Sequence, residues 1–260
     1  MKGKISIILM AGLVISFCSL TTLAKAKEQK AQSYVVMEFV IKPGKIADFE
    51  ASWKEGIDEC KRQNYYLPIY AYSMDDFRFY AFYPVPIYSG IDDFFNAYAD
   101  YVKKIGMEKL QKMHEREYAS IEYYKMILIR HRSDLSYTPE SPRLKPEEKG
   151  FIFWDFYYIQ PGMEKEFEEL NKEWVALYKN NNIPDEYDFY VGDIGTEMPV
   201  YFYAESGKSN VDFWTQHRES WRLFGEEGDD LWERTIVLVR KREMKTGWYR
   251  ADLSYIPKDK

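Results

Sequence analysis

Histidine and cysteine are scarce, at three and two in 260 residues. That excludes a disulfide scaffold and a cysteine-built zinc site. His114-Glu115 opens like a zinc-protease helix, but position 118 is Tyr118, so the paired-histidine face is missing and no metal site is expected. Phosphate-binding glycine loops and the Gly-x-Ser-x-Gly elbow are absent, which argues against nucleotide chemistry and serine hydrolysis. No Lys/Arg-rich run occurs and the net charge is −6, so nucleic acid is not an expected partner. Aromatic residues are plentiful instead, at 18%, and apolar residues reach 46%, enough for a folded core.

The N-terminus reads as an address. Lys2 and Lys4 precede a mostly apolar stretch, residues 5–23, and Ala24-Lys25-Ala26 spaces small residues as a signal peptidase requires. This predicts a signal peptide over residues 1–26 and an exported protein, periplasmic or extracellular, with no membrane span after cleavage. An uncleaved anchor is the alternative. Lipid attachment at Cys18 is disfavoured by the bulky Phe17 before it. Cleavage would remove three lysines and no acid, taking the charge from −6 to −9. Cys60 would remain, on the apolar side of a helix, and is expected to be buried and inert.

The rest of the chain repeats itself. Lys42-Pro43-Gly44 returns as Gln160-Pro161-Gly162, Phe49-Glu50 as Phe167-Glu168, and Glu115-Arg116 as Glu233-Arg234, each 118 residues on. Arg132 with Asp134-Leu135-Ser136-Tyr137 returns at the same offset as Arg250 with Asp252-Leu253-Ser254-Tyr255. Such order and spacing point to a tandem duplication, with copies at 33–137 and 151–255. Residues 138–150, with Pro139, Pro142 and Pro146, read as a linker.

Each copy reads as strand, helix, two strands, helix, strand. In the first, residues 34–41 are an apolar β-rich run, and Ile46, Phe49, Trp53, Ile57 and Cys60 mark a helix face. Two Tyr-rich strands follow near 69–73 and 77–83, with counterparts at 187–191 and 199–204. A second helix carries the stripe Ile91, Phe94, Phe95, Tyr98, Val102 and Ile105, and the last strands are placed at 117–124 and 235–241. The Asp-Leu-Ser-Tyr tails are expected to close each copy. The fold class is therefore α+β, as two tandem ferredoxin-like βαββαβ repeats. Each sheet has helices on one face only, so the two copies can cover each other, sheet to sheet.

The strand that runs into Lys42-Pro43-Gly44-Lys45, followed by a helix with Phe49, resembles the dimeric α+β barrel superfamily, chiefly its NIPSNAP and antibiotic-biosynthesis-monooxygenase-like branches. The resemblance implies an intrachain pseudo-dimeric barrel. The superfamily holds cofactor-independent oxygenases, haem-binding proteins and plain ligand binders, so the fold does not choose among them.

Glu38 and His217 are the candidate catalytic residues. Along the first strand, Val35, Met37, Phe39 and Ile41 should face the helices, which turns Glu38 into the space between the sheets. A desolvated carboxylate there could serve as a base. His217 falls on the apolar stripe of the second helix, where the first copy has Tyr98. It could be a core histidine, a base, or an axial haem ligand. Trp154, Tyr158, Tyr72, Tyr190 and Tyr203 are the candidate ligand-binding residues, an aromatic lining suited to a flat apolar ligand. Asp155 falls on the other face of its strand, where the first copy has Met37, and reads as an acid paired at an edge. Glu226, Glu227, Asp229 and Asp230 read as a solvated acidic segment, with weak calcium binding as the alternative. No cofactor is demanded by the sequence. The leading expectation is a small-molecule binder, monomer or homodimer, with the ligand between the two sheets. The alternatives are a monooxygenase-like enzyme, a haem protein, and a barrel filled by its own side chains.

Overall fold

The structure is a computed structural model that describes residues 32–86 and 88–257. The expected signal segment lies outside them. Among the described residues no helix is long and apolar enough to cross a membrane.

β1 (Ser33–Ile41) leads through Pro43-Gly44 into α1 (Ile46–Gln63). Gly44 sits at φ 79°, a left-handed turn that suits glycine. β2 (Tyr70–Met74), β3 (Arg78–Val85), α2 (Gly90–Ile105), α3 (Met107–Ser120) and β4 (Ile121–His131) complete the first half. The second half runs β5 (Phe151–Ile159), α4 (Glu164–Asn180), β6 (Tyr187–Gly192), β7 (Val200–Gly207), α5 (Asn210–Ile236) and β8 (Val239–Tyr249).

The last strands thus start later than the expected 117–124 and 235–241. Residues 107–120 are helical, and α5 continues through the β-branched Thr235-Ile236, so helix takes the first residues of each expected strand. The second helix is also broken, by glycines at positive φ: Gly106 separates α2 from α3, and Gly225 kinks α5.

The eight strands close into one antiparallel barrel in the order β1-β3-β2-β8-β5-β7-β6-β4. Each half supplies four contiguous strands. Two short seams join them: β2 to β8 at Tyr72–Tyr249, Ser73–Trp248 and Met74–Gly247, and β4 to β6 at Ile129–Gly192, Arg130–Val191 and His131–Tyr190. Inside the barrel, Val36, Tyr80, Phe82, Ile129, Ile152, Trp154 and Phe202 form one core. Outside it, a second core packs β1–β4 against α1, α2 and α3, and a third packs β5–β8 against α4 and α5.

The Asp-Leu-Ser-Tyr tails correct the expectation that each closes its own copy. Leu253 and Tyr255 are buried in the first half's core, and Leu135 and Tyr137 in the second's. Ile69 bridges to Tyr255 and Tyr187 to Tyr137, and the Trp53 indole donates to the Leu253 carbonyl at 3.0 Å. Arg250 pairs with Glu50 of α1, and Arg132 with Glu168 of α4 at 2.9 Å. Each tail therefore completes the opposite half. The segment 138–150 is packed as well: Leu144 is buried, and Arg143 bonds Asp185 at 2.7 Å and Asp212 at 2.9 Å.

The β2–β8 seam is tight at Gly247, where a Cβ would lie 2.2 Å from the Ser73 carbonyl oxygen. Gly247→Ala is expected to cost about 1–3 kcal/mol by overpacking two backbones. Urea unfolding should show a lower midpoint, and an unchanged midpoint would show that the seam can spread.

Candidate functional site

The pleat of each strand decides which predicted residues meet. Trp154, Tyr72 and Tyr190 face the barrel interior and largely fill one end of it. Tyr72 stands 5.3 Å from the Trp154 ring, and Tyr190 stacks on Phe202 at 4.8 Å. At the other end the interior keeps a cavity of about 240 Å³, floored by Trp154, Phe156 and Phe202 and rimmed by Glu38, Tyr158 and Lys241. Glu38 is indeed inward, but it is no free base: Arg78 Nε donates to it at 2.9 Å. Tyr158 donates to Glu243 at 3.0 Å, with Lys241 Nζ 4.3 Å from its ring centroid.

Tyr203 and His217 do not join this group. On β7, Phe202 points into the barrel, so its neighbour Tyr203 points out toward the helices. His217 lies on α5, over the outer face of the second half's sheet. The two residues instead line a larger cavity of about 360 Å³, between β5, β7 and β8 on one side and α4 and α5 on the other. Its walls are Tyr157, Trp174, Tyr178, Tyr203, Trp221, Phe224 and Trp232, and its polar groups are Asp155, Glu205, His217, Thr235 and Arg242.

Asp155 finds its explanation here. It is buried, and Arg242 holds it with two bonds, Nε to Oδ1 at 2.9 Å and Nη2 to Oδ2 at 2.6 Å. Tyr157 adds a third at 2.6 Å. The Arg242 guanidinium also lies 4.9 Å from the Trp232 ring, so both charges are neutralised in place. The Trp221 indole N–H donates to His217 Nε2 at 3.0 Å. An indole can only donate, so Nε2 carries the lone pair and Nδ1 the proton. Burial lowers the His217 pKa, which keeps the ring neutral near pH 7. Glu205 makes no hydrogen bond or ion pair among the described residues, and burial, helped by the charges of Asp155 and Asp185, pushes its carboxyl up to about 8. At neutral pH it is a proton donor facing an aromatic cavity.

No family model matches the sequence, and no curated protein matches it. Solved structures do. An anthrone oxidase-like protein aligns over 86% of this chain and 92% of its own, with a TM-score of 0.58 and 12% identity. A candidate monooxygenase from Lactobacillus acidophilus covers 87% and 97%, at TM-score 0.53 and 9% identity. A mutant chlorite dismutase from Candidatus Nitrospira defluvii covers 85% and 92%, at TM-score 0.50 and 8% identity. The fold is that of the dimeric α+β barrels. At these identities the likeness reaches no further than the fold.

Haem, raised by that resemblance, does not suit the cavity as its side chains stand. The nitrogen of His217 that could meet iron is occupied by Trp221, and the ring lies against Phe213 at 5.5 Å. The cavity's one cation among the described residues, Arg242, is engaged by Asp155, so no free positive group in its lining meets haem carboxylates. Among the described residues no group of three or more His, Cys, Asp or Glu side chains could hold a metal ion. Cys60 is buried, and burial pushes its thiol up to about 12, so it is no nucleophile.

Sequence reasoning missed Glu205 and Arg242. The cue for Glu205 was available: it shares its strand face with Tyr201 and Tyr203, an acid in an apolar phase.

Two outcomes follow from these groups. Folded Glu205 holds a proton that the unfolded chain releases above its ordinary 4.5. Its stabilising contribution is therefore complete below 4.5 and lost as pH rises through about 8. Glu205→Gln should gain stability relative to the native protein between about pH 5 and about pH 9. A pH-independent difference in thermal unfolding would refute the assignment. Haem added to the purified protein should give no Soret band that depends on His217, and a band lost in His217→Ala would reverse that conclusion.

Proposed function

We propose that this protein binds a small, flat, largely apolar molecule carrying a carbonyl or hydroxyl oxygen, in the second half's cavity between sheet and helices. The carrying observation is the cavity itself: seven aromatic walls and two donors without a partner among the described residues, protonated Glu205 and the Nδ1–H of neutral His217. A few placed polar groups in an apolar cleft are the usual makings of a small-molecule site. This moves the ligand from the space between the sheets, where Trp154, Tyr72 and Tyr190 already fill one end. We take the two halves to be tandem ferredoxin-like copies, and residues 1–26 to export the chain to the periplasm or beyond.

A second reading is a cofactor-independent oxygenase acting on that ligand, with dioxygen as oxidant. It is favoured by Glu205, whose carboxyl is poised to exchange a proton near neutral pH, and by a fold shared with a candidate monooxygenase and an anthrone oxidase-like protein. In this reading Glu205 replaces Glu38 and His217 as the proton-transfer group, since Arg78 and Trp221 already engage those two.

The test uses 1-naphthol as probe. It should quench tryptophan emission, and Trp221→Ala should weaken binding about tenfold, roughly 1.4 kcal/mol, by removing one wall. Glu38→Gln, in the barrel, should leave binding unchanged. The reverse pattern would return the ligand to the barrel. Oxygen uptake with anthrone, abolished in Glu205→Ala, would establish the enzyme; its absence would leave a binder.

A further inference from the structure

The first half holds a cavity at the place that corresponds to the second half's. It measures about 120 Å³ and lies between the sheet's outer face and α1, α2 and α3. The correspondence is positional. Val35 pairs with Tyr83 on β3 as Phe153 pairs with Glu205 on β7, and Tyr83 and Glu205 line their respective cavities. Tyr98 lies where the second half has His217, and His114 where it has Trp232. Glu117 takes the place of Thr235. Each cavity thus has one histidine and, within aromatic walls, one carboxyl outside any ion pair among the described residues, Glu117 in the first half and Glu205 in the second, but at different positions. In the first half both come from α3, three residues apart and so on one helix face.

Gly56 is a second, independent observation. It lies inside α1 and borders the cavity, at the position where α4 has Trp174. Glycine is the poorest helix former after proline. Nothing in the packing demands it: its φ is helical, and the nearest atom to an added Cβ is Met113 Cε at 3.9 Å, an ordinary contact. What it does is leave the wall open beside Trp53, Tyr98 and Glu117. Glu117 makes no hydrogen bond or ion pair among the described residues, and burial raises its carboxyl to about 7. Burial also lowers His114, whose Nδ1 lies 3.3 Å from the Tyr118 hydroxyl.

We propose that the first-half cavity is a second ligand site, which takes a single-ring aromatic molecule with its hydroxyl turned to Glu117 and His114. The size bounds the class: a dry cavity of about 150 Å³ takes up benzene, so this one, at about 120 Å³, admits one ring at most. An unpaired carboxyl in an apolar wall favours a ligand that brings a hydrogen-bonding group. The protein would then hold two different ligands, a larger one in the second half and a smaller one in the first.

The probes are 4-fluorophenol and fluorobenzene, followed by fluorine NMR on the full-length protein. The expected result is 4-fluorophenol binding that Gly56→Leu removes and Trp221→Ala leaves intact, with fluorobenzene about tenfold weaker or more. Gly56→Leu should also melt higher without ligand, because it fills the space and improves the helix. Binding that survives Gly56→Leu, or no binding at all, overturns the site. Equal binding of fluorobenzene overturns the assigned hydroxyl contact. A lower melting temperature for Gly56→Leu shows that packing requires the glycine and removes that support. Should that variant not fold, Glu117→Ala carries the decision: unchanged 4-fluorophenol affinity refutes the proposal.

Discussion

A four-stranded sheet with helices on one side has a second face that water must not see. In this protein that bare face carries Val36, Tyr80 and Phe82 in one half and Ile152, Trp154 and Phe202 in the other. Burying one against the other is the constraint from which the rest follows. It explains why the strands close into a barrel and why two seams of three residue pairs suffice to join the halves. The exchanged tails strengthen the bond. Leu135 and Leu253 are fully or almost fully buried in cores to which their own halves do not belong. Neither helix–sheet core is complete without the other half.

The same constraint relocates the chemistry. Aromatic side chains fill one end of the barrel and confine its open space to a cavity of about 240 Å³ at the other. Space also survives where helix meets sheet, between β5, β7 and β8 and the helices α4 and α5 in the second half, and between the sheet and α1, α2 and α3 in the first. The larger of these spaces collects the groups with unusual protonation: a neutral imidazole, a carboxyl that keeps its proton, and an aspartate–arginine pair closed on itself. A carboxyl without a partner in such a place costs stability unless a ligand supplies one. That makes Glu205, rather than Glu38, the residue that marks the site.

Periodicity and repetition reveal a good deal about this chain. The α+β class, the element order of each half, the inward turn of Glu38 and Trp154, and the outward turn of Asp155 all follow from a period of two in strands and 3.6 in helices. These patterns are local, and local pattern is what a sequence records directly. The boundary errors were local too. Thr235-Ile236 has the β-branched chemistry of a strand, but Thr235 is buried against α4, where its hydroxyl accepts from the Trp174 indole at 3.0 Å, and the helix runs through it.

Tertiary structure alone decided three things. It paired Asp155 with Arg242, 87 residues away, and Glu38 with Arg78, because strand register is not written in either strand by itself. It sent each Asp-Leu-Ser-Tyr tail to the opposite half, since identical motifs carry no mark of which copy they will meet. It separated His217 and Tyr203 from Trp154, Tyr72 and Tyr190 by one sheet thickness. Residue types announce an aromatic pocket; which face of the sheet holds the empty volume depends on how all the side chains pack at once.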